Sequence, residues 1–216
     1  VLSGCETVTQ CLGILETTGM TPALVALDVM DKAADIQLFQ AELNDFCGVV
    51  LKIVGETAAV GAAIAAGFEV ALRMGGSPLK TIMPRPDVHA LPALESRQEF
   101  SPLIQQNVVY TPRTAGETRN SQETVMAETP SYALGLIETQ GFTAGFEAID
   151  SACKAANVEV VCKEKLGGGF ITVVIKGDVA AVKAAVEAGK SKVEGLGKLI
   201  AAHVIARPSA AVLSLL

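Results

Sequence analysis

The side chains with the most chemistry in this chain are few and scattered. His89 and His203 are the two histidines, and no serine, cysteine or carboxylate stands in a nucleophile motif beside either. His203 lies in LIAAHVIA, which alternates as a strand and suits a structural imidazole better than a catalytic one. The five cysteines, Cys5, Cys11, Cys47, Cys153 and Cys162, form no CxxC or other zinc-type spacing. Their odd number, with no signal-peptide pattern, points to a reducing cytoplasm. Lys165 to Phe170, KLGGGF, has the glycines of a phosphate loop but neither the GK[ST] ending nor a helix after it. Glu16 and Glu138 recur within one phrase, LG-x-x-ET, where a polar contact to a turn or another subunit is simpler than acid–base work. These residues argue against an enzyme.

The phrase that holds the glutamates leads to the elements. CLGILETTGMTPALVALDVMDKAA begins at Cys11, and ALGLIETQGFTAGFEAIDSACKAA begins at Ala133. A constant offset of 122 residues aligns Leu12-Gly13 with Leu134-Gly135, Asp28 with Asp150, and Lys32-Ala33-Ala34 with Lys154-Ala155-Ala156. The same offset aligns Gly55 with Gly177 and Arg85-Pro86 with Arg207-Pro208, with no gap from 12 to 86. Such a register is the mark of duplication.

Each copy reads strand, helix, strand, strand, helix, strand. In the second copy the spacing predicts strands over 133–138, 158–162, 170–176 and 199–206, and helices over 143–156 and 179–192. Asp178 is the expected N-cap of the later helix, and Thr21-Pro22 the expected cap and first turn of the first helix. Two helices on one face of an antiparallel sheet make an α+β sandwich. The predicted division is one domain over 1–86, a linker over 87–131 and a second domain over 132–216. The linker is polar and aperiodic, with QQNVVYT as a short strand inside it. The chain opens on Val1 rather than Met, so the natural start is expected upstream.

Composition narrows the class. Half the residues are hydrophobic but only 4% are aromatic, which suits tight helix-on-sheet packing or flat subunit contacts. A net charge of −6 with no basic stripe argues against nucleic acid. The apolar run from Val49 to Met74 is broken by Lys52, Glu56, Glu69 and Arg73, so it is a strand and helix rather than a membrane span.

The run from LGLIETQG through the GDV helix start to ARPS resembles the bacterial microcompartment shell domain, and the first copy resembles it at LGILETTG, Asp28-x-x-x-KAA, Gly55-Glu56 and Arg85-Pro86. The resemblance implies two tandem ferredoxin-like domains, each a four-stranded antiparallel sheet with helices on one face. Both copies begin with LG-x-x-ET and end with RP, as in the tandem, non-permuted class. Members of that class form trimers that imitate six-sided tiles, so the implied protein is a homotrimer with a hexagonal outline and a central pore for small metabolites. Its implied place is the microcompartment shell in the cytoplasm, and its partners other shell proteins and enclosed enzymes. Stacking of two trimers stays open.

By the same resemblance, Lys32, Lys154, Arg85 and Arg207 make tile-edge contacts. The pore falls to the loops between the middle strands: Asn44, Asp45, Phe46 and Cys47 in the first copy, and Gly167, Gly168, Gly169 and Phe170 in the second. A narrow pore with an acidic rim at Asp45 is favoured. Three Cys47 thiols holding an iron–sulfur cluster and a closed centre are the other two readings. Outside this family, a trimeric small-molecule sensor of ferredoxin-like type is the alternative, although no basic cluster stands beside a glycine loop to hold a phosphate.

Overall fold

The computed structural model of the chain describes residues 10–44, 47–112 and 132–216. The first copy runs β1 (Cys11–Thr18), α1 (Met20–Ala33), β2 (Ile36–Asn44), β3 (Gly48–Gly55), α2 (Thr57–Arg73) and β4 (Leu79–Met83). The connection carries α3 (Leu91–Leu94), β5 (Phe100–Ser101), β6 (Gln106–Asn107) and β7 (Val109–Tyr110). The second copy runs β8 (Ala133–Gln140), α4 (Phe142–Ala155), β9 (Glu159–Gly167), β10 (Phe170–Gly177), α5 (Val179–Lys190) and β11 (Lys198–Ile205), followed by a short α6 (Ala210–Leu213). Both copies therefore show the expected six elements in the expected order.

The strands pair antiparallel in the orders β4-β1-β3-β2-β7 and β11-β8-β10-β9. The copies share their register: Glu16 lies opposite Val50 as Glu138 lies opposite Thr172. They share an irregularity too, with pairing slipping between Leu38 and Gln40 in β2 and between Val160 and Cys162 in β9. The first sheet has one strand more than expected, because β7 adds to the β2 edge through Ala41–Tyr110 and Glu42–Val109. An edge strand exposes unpaired backbone groups, and β7 pairs some of those of β2.

Close helix packing depends on one repeated glycine. A Cβ on Gly13 would come 2.6 Å from Val60, and one on Gly135 would come 2.8 Å from Val182 at the matching place. The central strand of each sheet thus meets its later helix almost backbone to side chain. Leu15, Leu24, Leu27, Met30, Leu51, Ile53 and Ile64 are wholly buried in the first copy. That cluster continues into Leu134, Leu136, Leu166 and Val174 of the second, so the two copies share a core. A separate cluster under α4 and α5 holds Ala144, Ala148, Ile175, Val182 and Val186.

The helix caps split. Asp178 caps α5 as expected, accepting from Ala180 N at 2.8 Å and Ala181 N at 3.4 Å, although that helix stops at Lys190. Thr21 is not the cap of α1. Gly19 holds that place at φ 89°, Thr21 lies inside the first turn, and the turn's donors are taken by a carboxylate from the other copy. Local sequence offered a capping threonine, but a long-range acceptor displaced it.

Candidate functional site

The loops between the middle strands meet within one chain. Cys47 adopts φ 60°, and its carbonyl accepts from Gly19 N at 2.8 Å. At the matching place in the second copy, Gly169 accepts from Gly141 N at 2.9 Å. Gly167, Gly168 and Gly169 all have positive φ, which a run of L side chains would resist. The Cys47 thiol lies 3.5 Å from the Gly167 carbonyl oxygen, and a Cβ on Gly168 would meet that sulfur at 2.5 Å. Asn44 turns back into its own copy, accepting from Gly48 N at 2.8 Å and donating to Glu16 at 2.6 Å. Phe170 is half-buried and packs against the shared core. Asp45 and Phe46 lie outside the described residues.

Cys47 offers one thiol per chain, turned to a carbonyl. Among the described residues, no group of three or more His, Cys, Asp and Glu side chains is placed to hold a metal ion. The cluster reading draws on the Cys47 thiols of three chains, of which each chain supplies one.

The second cluster is the joint between the copies. The Glu138 carboxylate is fully buried and accepts from Met20 N at 2.9 Å and Thr21 N at 2.8 Å, one donor to each oxygen. Burial pushes its pKa up, while the two backbone donors pull the other way. The hydroxyls of Thr21 and Thr172 lie buried beside it without closing a full hydrogen bond. Farther along α1, Lys32 pairs with Asp28 at 2.6 Å and donates to the Arg207 carbonyl. Asp28 also accepts from Ser209 N at 2.9 Å, and Asp31 from Ala211 N at 3.4 Å. Burial lowers the pKa of His203 in this joint, against the pull of Asp28. Lys154 pairs with Asp150 inside the chain, which raises its pKa; like the exposed Arg85 and Arg207, it faces solvent.

A third cluster escaped sequence reasoning. Lys52 is buried on the sheet beneath the connection and pairs with Glu42 at 2.9 Å. It also reaches the Leu94 carbonyl at 2.8 Å, Gln40 at 3.1 Å and Ser96 Oγ at 3.3 Å. Gln40 and Ser96 exchange two further bonds, at 2.8 and 3.0 Å. The signal was the single lysine in VVLKIV, a charge in the middle of a buried strand. Nearby, Gln106 exchanges two bonds with the Lys165 backbone, at 2.9 and 3.0 Å, and Tyr110 donates to Glu164 at 3.1 Å. Burial and then the Glu164 charge drive the Tyr110 hydroxyl well up and the Cys162 thiol up to about 12; burial also raises Glu164. The described part of the connection therefore stitches β2 to β9, with β7 inside the expected short strand QQNVVYT. Between these parts lies an apolar cavity of about 10 Å³ lined by Met20, Leu24, Leu43, Tyr110 and Leu216, room for no more than a water.

The BMC domain matches twice, over residues 11–86 and 133–208. The carboxysome assembly protein CcmO of Synechococcus elongatus is 34% identical over 199 residues, covering 91% of this chain and 65% of that protein. The chain thus spans about two thirds of that relative's length. The bacterial microcompartment shell protein PduA of Salmonella typhimurium is 51% identical over 76 residues, covering 35% of this chain and 81% of the relative. A microcompartment protein of known structure from Desulfitobacterium hafniense DCB is 25% identical, with 93% of this chain and 96% of that one covered at a TM-score of 0.35.

Proposed function

The chain belongs to the BMC-domain family and carries that domain twice; from this premise we propose that it is a structural shell protein of a bacterial microcompartment. Relatives that bear the names of carboxysome assembly and microcompartment shell proteins support that reading. Three chains form a ring of six domains, a tile with a hexagonal outline and a central pore. The tile sits among other shell proteins in the cytoplasm and helps to enclose enzymes.

One observation carries the pore: the Cys47 loop and the Gly167–Gly169 loop touch, although they lie 120 residues apart in sequence. A pore at a symmetry axis requires equivalent loops of neighbouring domains to sit side by side, and one chain already sets two of the six together. Around the ring, Asp45 supplies the acidic rim, which favours cations and neutral polar metabolites over anions. The exposed Arg85 and Arg207 suit the outer edges, where a planar guanidinium can reach carbonyls of an adjoining tile. The test is a shell-permeability assay of Asp45→Asn. The substitution should raise anion passage, and an unchanged ion preference would remove Asp45 from the pore.

A further inference from the structure

One short segment of the connection closes two strand edges at equivalent places in the two copies. Each loop between the middle strands follows the outermost strand of its copy, β2 or β9. On β2 the outer side takes the backbone of β7. Ala41 and Glu42 pair with Tyr110 and Val109, and Leu43 N donates to the Val108 carbonyl at 2.8 Å. The counterpart of Leu43 at the constant offset is Lys165, and there a side chain takes the place of a strand. The Gln106 amide accepts from Lys165 N at 3.0 Å and donates to the Lys165 carbonyl at 2.9 Å. A primary amide carries both a donor and an acceptor, so one side chain satisfies both backbone groups. Tyr110 adds a bond from its hydroxyl to Glu164 at 3.1 Å.

Gln106 is itself held in place. It lies opposite Ser101 in the β5–β6 hairpin, whose turn contains Gln105 at φ 58°. Gln105 N donates to the Ser101 carbonyl at 2.8 Å, and Val108 N to the Glu99 carbonyl at 2.9 Å. The loop beyond Lys165 has less support of its own. A Cβ on Gly167 would meet nothing within 4 Å, and one on Gly169 would come no nearer than 3.8 Å to its surroundings. The Gly169 end is fixed, because its carbonyl accepts from Gly141 N. The Lys165 end lies on an outer strand, where backbone with one open side frays most readily. Gln106 binds at that end.

We propose that Gln106, with Tyr110 behind it, is a positioning residue for the Gly167–Gly169 loop, through which the connection governs passage at the centre of the ring. The second copy supplies the loop, and the connection supplies its anchor. The same segment covers β2 just before Asn44, so a single element places the approach to both loops of a chain. The proposal rests on the reading of these loops as pore-lining and adds the residues that hold one of them.

Gln106→Met tests it, since methionine keeps the length of the side chain and removes both bonds. Hydrogen exchange on the assembled protein should show the Lys165 amide exchanging about tenfold faster, because its acceptor is gone. The Leu43 amide bonds to the Val108 backbone instead, so it should keep its wild-type rate. In shells built with the variant, glycerol should pass about twofold faster or more, as the loosened loop widens the opening. Tyr110→Phe, a milder change, should raise both rates by smaller factors. An unchanged Lys165 rate overturns the anchor, and so does a Leu43 amide that quickens equally, since Gln106 then holds β7 rather than the loop. If Lys165 quickens while glycerol passage stays the same, the anchor does not govern passage and the proposal falls. In that case a shifted ion preference in Asp45→Asn leaves the pore reading standing, and an unshifted one removes it too.

Discussion

Glu138 is a carboxylate with no exposed surface that bonds two backbone donors of a helix in the other repeat. Glu138→Ala should cost about 3 kcal/mol of stability, because it leaves buried donors without an acceptor. Chemical denaturation would measure the loss, and a change near zero would mean that water replaces the carboxylate. The pH dependence has a defined sign. Burial raises the folded-state pKa above that of an ordinary glutamate, so the folded chain holds the proton more tightly than the unfolded one. That contribution is fully present below about pH 4.5 and is lost as pH rises through the folded pKa. Glu138→Gln lacks it, so the variant should gain on wild type as pH rises and then level off. A difference flat with pH would contradict the shift. The repetition of Glu16 and Glu138 was visible in the sequence and pointed to a polar contact. What Glu138 touches was not, because local residues carry no record of which copy a side chain will reach.

At the level of elements, the sheets and main helices were legible, since each strand alternates or runs apolar and each helix carries its own periodicity. The fifth strand of the first sheet was half legible: QQNVVYT reads as a strand, but pairing to the β2 edge depends on contacts far along the chain. Lys52 anchors that arrangement by holding Glu42, the Leu94 carbonyl and Ser96. Lys52→Met should destabilise the protein by about 3 kcal/mol, since it strands Glu42 beneath the connection. Adding Glu42→Leu should recover most of the loss, as replacing both partners of a buried pair often does. Thermal unfolding of the two single variants and the double variant would measure the coupling, and additive losses would contradict it. The same variants should speed proteolysis within residues 90–112, the part of the connection that Lys52 ties down.

For the whole molecule, duplication was plain in the sequence, and the core shared between the copies was not. Each copy could have folded as a separate body. Instead Leu134, Leu136 and Leu166 pack with the first copy, and Lys32 reaches the Arg207 carbonyl. The edge contacts implied by the family resemblance fall to Lys32, Lys154, Arg85 and Arg207, and the exposed guanidinium groups are the simplest pair to test. Arg85→Glu with Arg207→Glu should abolish two-dimensional sheets in electron micrographs while leaving single tiles intact. Loss of the tiles themselves would move both arginines into the ring. Native mass spectrometry of the purified protein at micromolar concentration decides whether three chains close one ring. The expected result is one dominant species of three 22.3-kDa chains. A stable single chain, or a dimer that adds no third copy, would contradict it.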